Sequence, residues 1–237
     1  MYKGLYDQFK HWFHNDKGQV YFYSDPHFAD AEMEYIRKNY IGDEEQVKRI
    51  NSKIGKYDTL VILGDVGDAE WVKKLRGYKV LIMGNHDAGA SNYLKQRLLV
   101  KGDPNRCPKC NKSVVYMQDE RDAAWCSFCG WVTPREDRYM DTGLFDEVYE
   151  GALIISEKLI LSHEPIDFPY ALNIHGHDHS NWFGKDEMHW NVCAEHIDYT
   201  PICLKHIIES GRLKNIPTIH RETIDEATAR KRKREVK

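Results

Sequence analysis

Residues 60–87 read LVILGDVGDAEWVKKLRGYKVLIMGNHD, and this stretch decides the fold class. Its two apolar runs, at 60–63 and 80–83, have the length and composition of strands buried on both faces. The residues between them, 69–75, follow a helical pattern that Gly77 closes. A strand, a helix and a second strand in this order predict two parallel strands joined by a right-handed crossover. The polar residues after each run would then meet at one edge of the sheet.

The same alternation extends in both directions along the chain. Upstream, an apolar run at 20–23 precedes a helical pattern at 44–54. Downstream, strand-like segments recur at 152–156, 159–161 and 190–194. A last helical pattern follows at 202–208. The sequence therefore predicts an α/β fold with a mainly parallel sheet flanked by helices.

Side chains that bind metal ions follow these strands in five clusters. The clusters are Asp25 with His27, Asp65 alone, Asn85 with His86 and Asp87, His163 alone, and His177 with His179. Each cluster by itself is a weak signal, since an isolated histidine is more often a surface or core residue. Together they supply carboxylate oxygen and imidazole nitrogen without thiolate, a donor set that suits manganese, iron, nickel or zinc. A pair of such ions can neutralise the negative charge of a phosphoester and activate a bound water to attack it.

The order of the clusters resembles the signature of the calcineurin-like metallophosphoesterase superfamily, and especially its small bacterial and bacteriophage members. That signature runs D-x-H, G-D, G-N-H-D/E, H and G-H-x-H, and every element occurs in this chain. The resemblance implies a metallophosphoesterase sandwich with two divalent catalytic metal ions. It also implies hydrolysis of phosphate esters by a hydroxide that bridges the two ions.

The resemblance further implies a role for each residue of the signature. One metal would be bound by Asp25, His27, Asp65 and His179, and the other by Asp65, Asn85, His163 and His177, with Asp65 as the bridge. His86 would face the leaving group as proton donor, and Asp87 would fix the tautomer of His86. Capping of a helix N-terminus is the alternative role for Asp87.

Four cysteines form a separate pattern inside the irregular, charged stretch 101–138. Cys107 and Cys110 form one C-x-x-C pair, and Cys126 and Cys129 form another. This spacing is typical of a tetrahedral four-thiolate site, so we expect a zinc ribbon stabilised by one structural zinc. Disulfides are the alternative, which a cytosolic location disfavours.

The surroundings of the ribbon raise two further expectations. Residues 91–99 read as a helix that would carry the chain back across the sheet, so the ribbon would lie far from the metals and act as a docking or assembly module. Aromatic and cationic side chains surround the cysteines, so nucleic acid is a candidate partner. The alternative is that the aromatic side chains only form a small core and the charged ones are solvated. These side chains are Lys109, Lys112, Tyr116, Arg121, Trp125, Phe128, Trp131 and Arg135.

The domain organisation follows from these patterns. We expect a catalytic domain formed by 1–100 and 139–220, the ribbon insertion at 101–138, and a charged, flexible tail at 221–237. The tail contains a run of five basic residues, 230–234, which is either a second contact for nucleic acid or a plain solvated end. With a net charge of -3, a mean hydropathy of -0.66 and no apolar run long enough to span a bilayer, we expect a cytoplasmic protein without a membrane partner.

The expected activity is hydrolysis of a phosphodiester in a nucleotide or a nucleic acid. Two alternatives stay open at this point. One is a phosphomonoesterase that acts on a phosphoprotein or a metabolite, and the other is a nucleic-acid or protein adaptor built on an inactive phosphoesterase domain. The complete set of candidate ligands, together with His86, favours an enzyme over an adaptor.

Overall fold

The structure, a computed structural model, describes residues 4–94, 96–98, 106–117, 123–134, 140–183 and 186–235. The strands of this part of the chain are β1 (Val20–Tyr23), β2 (Thr59–Ile62), β3 (Tyr78–Ile82), β4 (Gln96–Leu98), β5 (Val115–Met117), β6 (Ala123–Trp125), β7 (Met140–Thr142), β8 (Glu147–Tyr149), β9 (Leu153–Ser156), β10 (Leu159–Leu161), β11 (Leu172–His175), β12 (His189–Asn191) and β13 (Ile202–Cys203). The α-helices are α1 (Met33–Ile36), α2 (Asp43–Lys53), α3 (Leu204–Glu209), α4 (Arg212–Asn215) and α5 (Ile219–Glu235). Short 3-10 helices lie at Asp7–Phe13, Ala69–Lys74, Ala90–Asn92 and Ala194–Ile197.

Two sheets form the body of the molecule. The first has the strand order β13, β1, β2, β3, β8, and the second has the order β12, β11, β10, β9. Strands β1, β2, β3 and β8 pair in parallel, as do β10, β11 and β12, while β13 and β9 are antiparallel edge strands. The predicted α/β fold with mainly parallel sheet is confirmed. The carboxyl ends of the parallel strands in each sheet lie at a single edge, where ligands bind in such folds.

Successive side chains of a strand point to opposite faces of the first sheet, and each face packs into its own hydrophobic core. Phe22 and Val61 face the second sheet, and their partners there include Ile174 of β11. The opposite face of the first sheet carries Leu60, which packs with Ile50 of α2. Because both faces are covered, the central strands read as continuous apolar runs instead of alternating ones.

Most predicted elements are confirmed to within one or two residues. The strands expected at 20–23, 60–63, 80–83, 152–156 and 159–161 correspond to β1, β2, β3, β9 and β10, and the helix expected at 44–54 corresponds to α2. The helix at 69–75 is a short 3-10 helix, capped by Asp68, which accepts a hydrogen bond from the Glu70 N–H at 3.0 Å. The expected strand 190–194 is β12, displaced towards the N-terminus, and the expected helix 202–208 begins only after β13 has paired with β1.

The helix predicted at 91–99 is wrong. A single 3-10 turn, Ala90–Asn92, is followed by strand β4, which pairs antiparallel with β7 on the far side of the cysteine stretch. Pairing with a strand distant in sequence overrides the local spacing of apolar residues that indicated a helix. The expectation that the ribbon lies far from the metals was derived from that helix, so it loses its basis.

Strands β4 and β7 lead into and out of the cysteine stretch, and β5 and β6 form a second hairpin within it. At the base of this insertion, Phe145 is fully buried and its ring packs against that of Tyr93 at 6.0 Å between centroids. The N–H groups of Leu144 and Phe145 both donate to the Tyr93 carbonyl, at 3.1 and 3.0 Å. The close cysteine cluster fits the small insertion that the sequence predicted.

The last helix, α5, is exposed along its described length. The Tyr170 hydroxyl donates to Glu222 at 2.7 Å, and Arg230 pairs with Glu226 at 3.0 Å. The basic run 230–234 therefore lies on a helix, and the flexibility of the segment 221–237 stays a prediction. Within the described ranges, no helix combines the length and the apolar character needed to cross a membrane.

Candidate metal centres

The predicted metal-binding side chains lie where the carboxyl edges of the two sheets meet. The first sheet contributes the loops after β1, β2 and β3, which carry Asp25, Asp65 and Asn85. The second sheet contributes the loops after β10 and β11, which carry His163 and His177. A hydrogen bond from the His177 N–H to Asp25 Oδ2, at 2.9 Å, joins the two halves.

Asp25, His27 and His179 form one cluster, with ligand atoms all within 4.8 Å of one another. Asp25 Oδ2 accepts hydrogen bonds from the N–H of His177 and the hydroxyl of Ser24, whereas Asp25 Oδ1 lies 3.5 Å from His179 Nε2 and 3.8 Å from His27 Nε2. Both Asp25 Oδ1 and His27 Nε2 are buried and have no hydrogen-bond partner among the residues described. Buried polar atoms are rarely left unpaired, so this cluster fits a cation.

Asp65, His163 and His177 form a second cluster of the same dimensions. His163 Nδ1 donates to the carbonyl oxygen of Leu63 at 2.7 Å, which leaves Nε2 as the nitrogen that faces the cluster. That Nε2 lies 3.3 Å from Asp65 Oδ2, 3.1 Å from His177 Nδ1 and 2.9 Å from Asn85 Oδ1. The structure thus brings together the four residues that the sequence predicted for a second metal.

The Asp65 carboxylate connects the two clusters. Its Oδ2 lies 3.7 Å from His27 Nε2 in one cluster and 3.3 Å from His163 Nε2 in the other. Two ligands bound about 2.1 Å from one ion and about 90 to 110° apart are separated by about 3.0 to 3.4 Å. The observed separations are close to that range, so the residues fit two adjacent cations that share one carboxylate.

Neighbouring charges and hydrogen bonds shift the pKa values of two groups in the centre. Burial alone would raise the pKa of Asp65, but hydrogen bonds from His163 and from the backbone N–H of His86 lower it to about 2. Burial alone would lower the pKa of His163, but the hydrogen bond to Asp65 and the charges of Asp25 and Asp65 raise it to about 9. Without a cation, the buried carboxylates are therefore balanced by a protonated imidazole, and a metal ion would displace that proton.

The loops reach this geometry through unusual backbone conformations. Asp25, His27, Asp65 and His177 all have positive φ, between 46° and 64°. Such conformations are costly for residues other than glycine, and they cluster at functional sites. The backbone of Gly84 approaches so closely that a Cβ at this position would lie 2.2 Å from Asp65 Oδ1.

The two predicted catalytic residues occupy different positions. The side chain of His86 is exposed beside the centre, with its ring 5.9 Å from that of His27, and its backbone N–H donates to Asp65 Oδ1 at 3.0 Å. The carboxylate of Asp87 accepts hydrogen bonds from the backbone N–H groups of Asp65 and Gly84, at 3.0 and 2.8 Å. Asp87 therefore ties the loop after β2 to the loop after β3, and its effect on the tautomer of His86 stays a prediction.

Sequence reasoning missed three residues beside the first cluster, of which Arg37 and Cys193 are buried. Glu195 Oε1 lies 2.5 Å from His179 Nδ1, and Arg37 Nε lies 3.2 Å from Glu195 Oε2. Cys193 places its Sγ 3.3 Å from Asp25 Oδ2, and burial raises the pKa of this thiol. Cys193 and Glu195 follow β12 at the same carboxyl edge as the other clusters, and that position was the signal available in the sequence.

The four cysteines of the ribbon form a third cluster. Their sulfur atoms lie within 4.8 Å of one another, with 3.6 Å between Cys107 and Cys129 and 3.5 Å between Cys110 and Cys126. Thiolates bound about 2.3 Å from one zinc ion in a tetrahedron are about 3.8 Å apart. All four thiols are free of disulfides. The cluster therefore fits a single zinc ion.

Both cysteine pairs sit on the same kind of turn. The N–H of Cys107 and the N–H of Cys126 each donate to the carbonyl five residues later, at 2.7 and 2.8 Å. Directly after the second cysteine of each pair come Asn111 and Gly130, whose φ values are 58° and 69°. Such tight turns aim both sulfur atoms of a pair, and the backbone amides around them, at one point.

Comparison with known proteins adds information about the fold alone. No protein-family model matches the chain, and no curated protein matches it significantly. A solved structure of a protein of unknown function from Aquifex aeolicus is similar to it with a TM-score of 0.50 and 20% identity, over 81% of this chain and 99% of the other. The nuclease MPE of Pseudomonas putida is similar with a TM-score of 0.32 and 19% identity, over 67% of this chain and 60% of the other. The second likeness is too distant to carry an argument.

Replacing Gly84 by alanine is expected to disrupt metal binding at the His/Asp centre. The new Cβ would lie 2.2 Å from Asp65 Oδ1 and 2.7 Å from the Asp65 backbone nitrogen, so the carboxylate has to move. Elemental analysis should show the loss of at least one metal from this centre, with the ribbon zinc retained. Gly89→Ala is the matched control, because nothing lies within 4 Å of a Cβ at that position. A Gly84→Ala variant with the metal content of the wild type would contradict the role of Asp65.

Replacing Cys110 by serine is expected to remove the zinc of the ribbon, since a neutral hydroxyl is a poor substitute for a thiolate ligand. We expect about one equivalent of zinc to be lost and the ribbon to become sensitive to protease, because metal binding supplies its folding energy. Cys203→Ser serves as the control, since Cys203 lies in β13 and outside the cluster. Equal zinc content in the two variants would refute the four-cysteine site.

Proposed function

We propose that this chain is a metal-dependent phosphoesterase of the calcineurin-like type. The observation that carries the proposal is the position of Asp65 Oδ2, which lies within 3.7 Å of a histidine nitrogen from each of two clusters. The buried Asp25 Oδ1 and His27 Nε2 support it, because both atoms lack a hydrogen-bond partner in the described part of the chain and would be satisfied by coordination to a cation. An adaptor would have no need to retain such buried, unpaired polar atoms.

The proposal assigns the ligands of two divalent ions. One would be held by Asp25, His27, Asp65 and His179, and the other by Asp65, Asn85, His163 and His177. When bound, the ions would act as Lewis acids on the phosphoryl group and supply a nucleophilic water at neutral pH. Manganese, iron, nickel and zinc all suit these donors.

His86 is the proposed general acid. Its side chain is exposed next to the centre, where a substrate can reach it, and its backbone is anchored to Asp65 through the 3.0 Å hydrogen bond. As the bond between phosphorus and the leaving oxygen breaks, that oxygen would take a proton from the imidazole. Asp87 supports this geometry indirectly, because its carboxylate fixes the loop on which His86 lies.

We favour a phosphodiester over a phosphomonoester as the substrate. A terminal phosphate carries a second negative charge, for which a monoesterase needs an additional cation near the metals. Arg37 is buried beside the centre, but its charge is already paired with Glu195. Lys38 lines a cavity of about 260 Å³ next to His179, but its side chain is exposed to solvent, where pairing with a phosphate charge contributes little.

The test is an assay with manganese on three substrates: bis-p-nitrophenyl phosphate, p-nitrophenyl phosphate and single-stranded nucleic acid. We expect turnover of the diester to exceed that of the monoester, and we expect chelation to abolish both. Full activity after exhaustive chelation would overturn the proposal. A preference for the monoester that disappears in Lys38→Ala would establish the monoesterase instead.

We further propose that the ribbon, residues 101–138 inserted between 1–100 and 139–220, contacts a single-stranded nucleic acid substrate. Phe128 in the second cysteine turn is 70% exposed, and Lys112 of the first turn places its Nζ 5.9 Å from the centre of that ring. Exposed aromatic rings stack on bases, and neighbouring lysines meet the phosphates. The basic run 230–234 on α5 is the second cationic surface proposed to contact the same strand.

For His86→Ala we expect both metals of the centre to remain bound and the rate to fall by about 10²- to 10⁴-fold, the usual range for loss of a proton donor. The defect should be smaller for substrates with a good leaving group such as p-nitrophenolate, which needs no protonation. Metal content and turnover of activated and unactivated diesters are the measurements. Loss of both metals from this variant would show that His86 is structural.

For Phe128→Ala we expect KM for single-stranded nucleic acid to rise about 5- to 160-fold, since stacking on one ring contributes about 1 to 3 kcal/mol. Turnover of bis-p-nitrophenyl phosphate should not change. Tyr57→Ala is the matched control, because Tyr57 is also exposed and has Lys17 and Lys56 beside its ring, but it lies near the amino end of β2. Equal KM values for both variants would exclude the ribbon as a contact for the nucleic acid. A salt-dependent loss of nucleic-acid binding on truncation before Arg230 would then identify α5 as the contact.

A further inference from the structure

We infer that Arg37 and Glu195 form a positioning pair that sets the affinity of one metal site, the site of Asp25, His27 and His179. This inference rests on the proposed function and names two residues outside the ligand signature. It is carried by a chain of contacts that runs from the His179 ring through Glu195 and the buried Arg37 to the backbone of Asp25.

The first contact orients His179. Its Nδ1 lies 2.5 Å from Glu195 Oε1, and because a carboxylate only accepts, Nδ1 carries the proton. The other nitrogen, Nε2, is then unprotonated and lies 3.5 Å from Asp25 Oδ1, on the side where the metal would bind. A carboxylate partner of this kind fixes both the tautomer and the ring orientation of a metal-binding histidine.

The second contact fixes Glu195 and Asp25 together. The Arg37 side chain is only 1% exposed; its Nε forms an ion pair with Glu195 Oε2 at 3.2 Å, outside hydrogen-bond geometry, and its Nη2 donates a hydrogen bond to the Asp25 carbonyl oxygen at 2.6 Å. Asp25 itself has a φ of 53°, a conformation that has to be held by its surroundings. The rigid, planar guanidinium therefore holds the backbone of one ligand and the partner of another ligand at a set distance.

The pair acts on one site and leaves the other to different contacts. His163 is oriented by the Leu63 carbonyl at 2.7 Å, and Asp65 is held by the His86 N–H at 3.0 Å. Neither contact involves Arg37 or Glu195. Weakening the pair should therefore lower metal affinity at the site of His179 while the site of His163 keeps its ion.

The experiment measures manganese bound per chain and the manganese concentration that gives half-maximal hydrolysis of bis-p-nitrophenyl phosphate. In Glu195→Gln the shape is kept and the charge is removed, and in Arg37→Lys the charge is kept and the planar fork is lost. For both we expect half-activation to need about 10- to 100-fold more manganese, the usual effect of removing a partner of a metal ligand. Turnover at saturating manganese should return to near the wild-type value, a recovery that a general loss of structure would not show.

Arg49→Lys is the matched control. Arg49 Nη1 donates to the carbonyl of Asp198 at 3.1 Å, so it braces the same segment of chain as Glu195 without reaching a metal ligand. Far-UV circular dichroism and ribbon zinc content report folding, and if Glu195→Gln does not fold, Arg37→Lys decides the question. Unchanged half-activation in Arg37→Lys, or an equal shift in Arg49→Lys, would overturn the positioning role. A wild-type chain that binds no manganese and hydrolyses no ester would overturn the proposed function itself.

Discussion

The structure of the centre depends on two buried carboxylates that need positive charge. Asp25 and Asp65 are almost completely removed from solvent, and the same nitrogen, His27 Nε2, lies 3.8 Å from an oxygen of one and 3.7 Å from an oxygen of the other. Buried carboxylates are unstable unless they are paired, protonated or bound to metal. In each carboxylate, one oxygen faces the imidazoles of the centre. The other oxygen accepts a hydrogen bond from a backbone N–H of a neighbouring loop.

The two-sheet architecture makes this arrangement available. Each sheet presents the carboxyl ends of its parallel strands, and the sandwich brings these two edges together. Ligands from one sheet are then fixed by backbone groups of the other, as in the hydrogen bonds from His177 N–H to Asp25 and from His163 to the Leu63 carbonyl. A centre assembled across a packed interface is rigid, because the hydrophobic core between the sheets holds the two halves in register.

The cysteine insertion differs from the domain that carries it in how little hydrophobic core it has. The described part of the insertion has few buried apolar side chains, namely Ala123 and Ala124 besides the cysteines, so a metal ion is the natural source of its stability. Its attachment is nevertheless firm, because β4 pairs with β7 and Phe145 packs against Tyr93 at its base. The molecule therefore contains two kinds of candidate metal cluster, one of thiolates and one of imidazoles with carboxylates.

The amino-acid sequence by itself determined the set of candidate metal ligands, the cysteine pairs and the α/β alternation. These depend on residue type and on local periodicity, which Asp25, Cys107 or the run 60–63 display without reference to any other part of the chain. Only the tertiary structure decided that 96–98 is a strand, that Asp87 ties two loops together, and that Arg37 and Glu195 stand behind His179. Each of these is a contact between segments distant in sequence, and local propensity is too weak to specify such contacts. The positive φ values of Asp25 and Asp65 belong to the same class, since the surrounding packing imposes them.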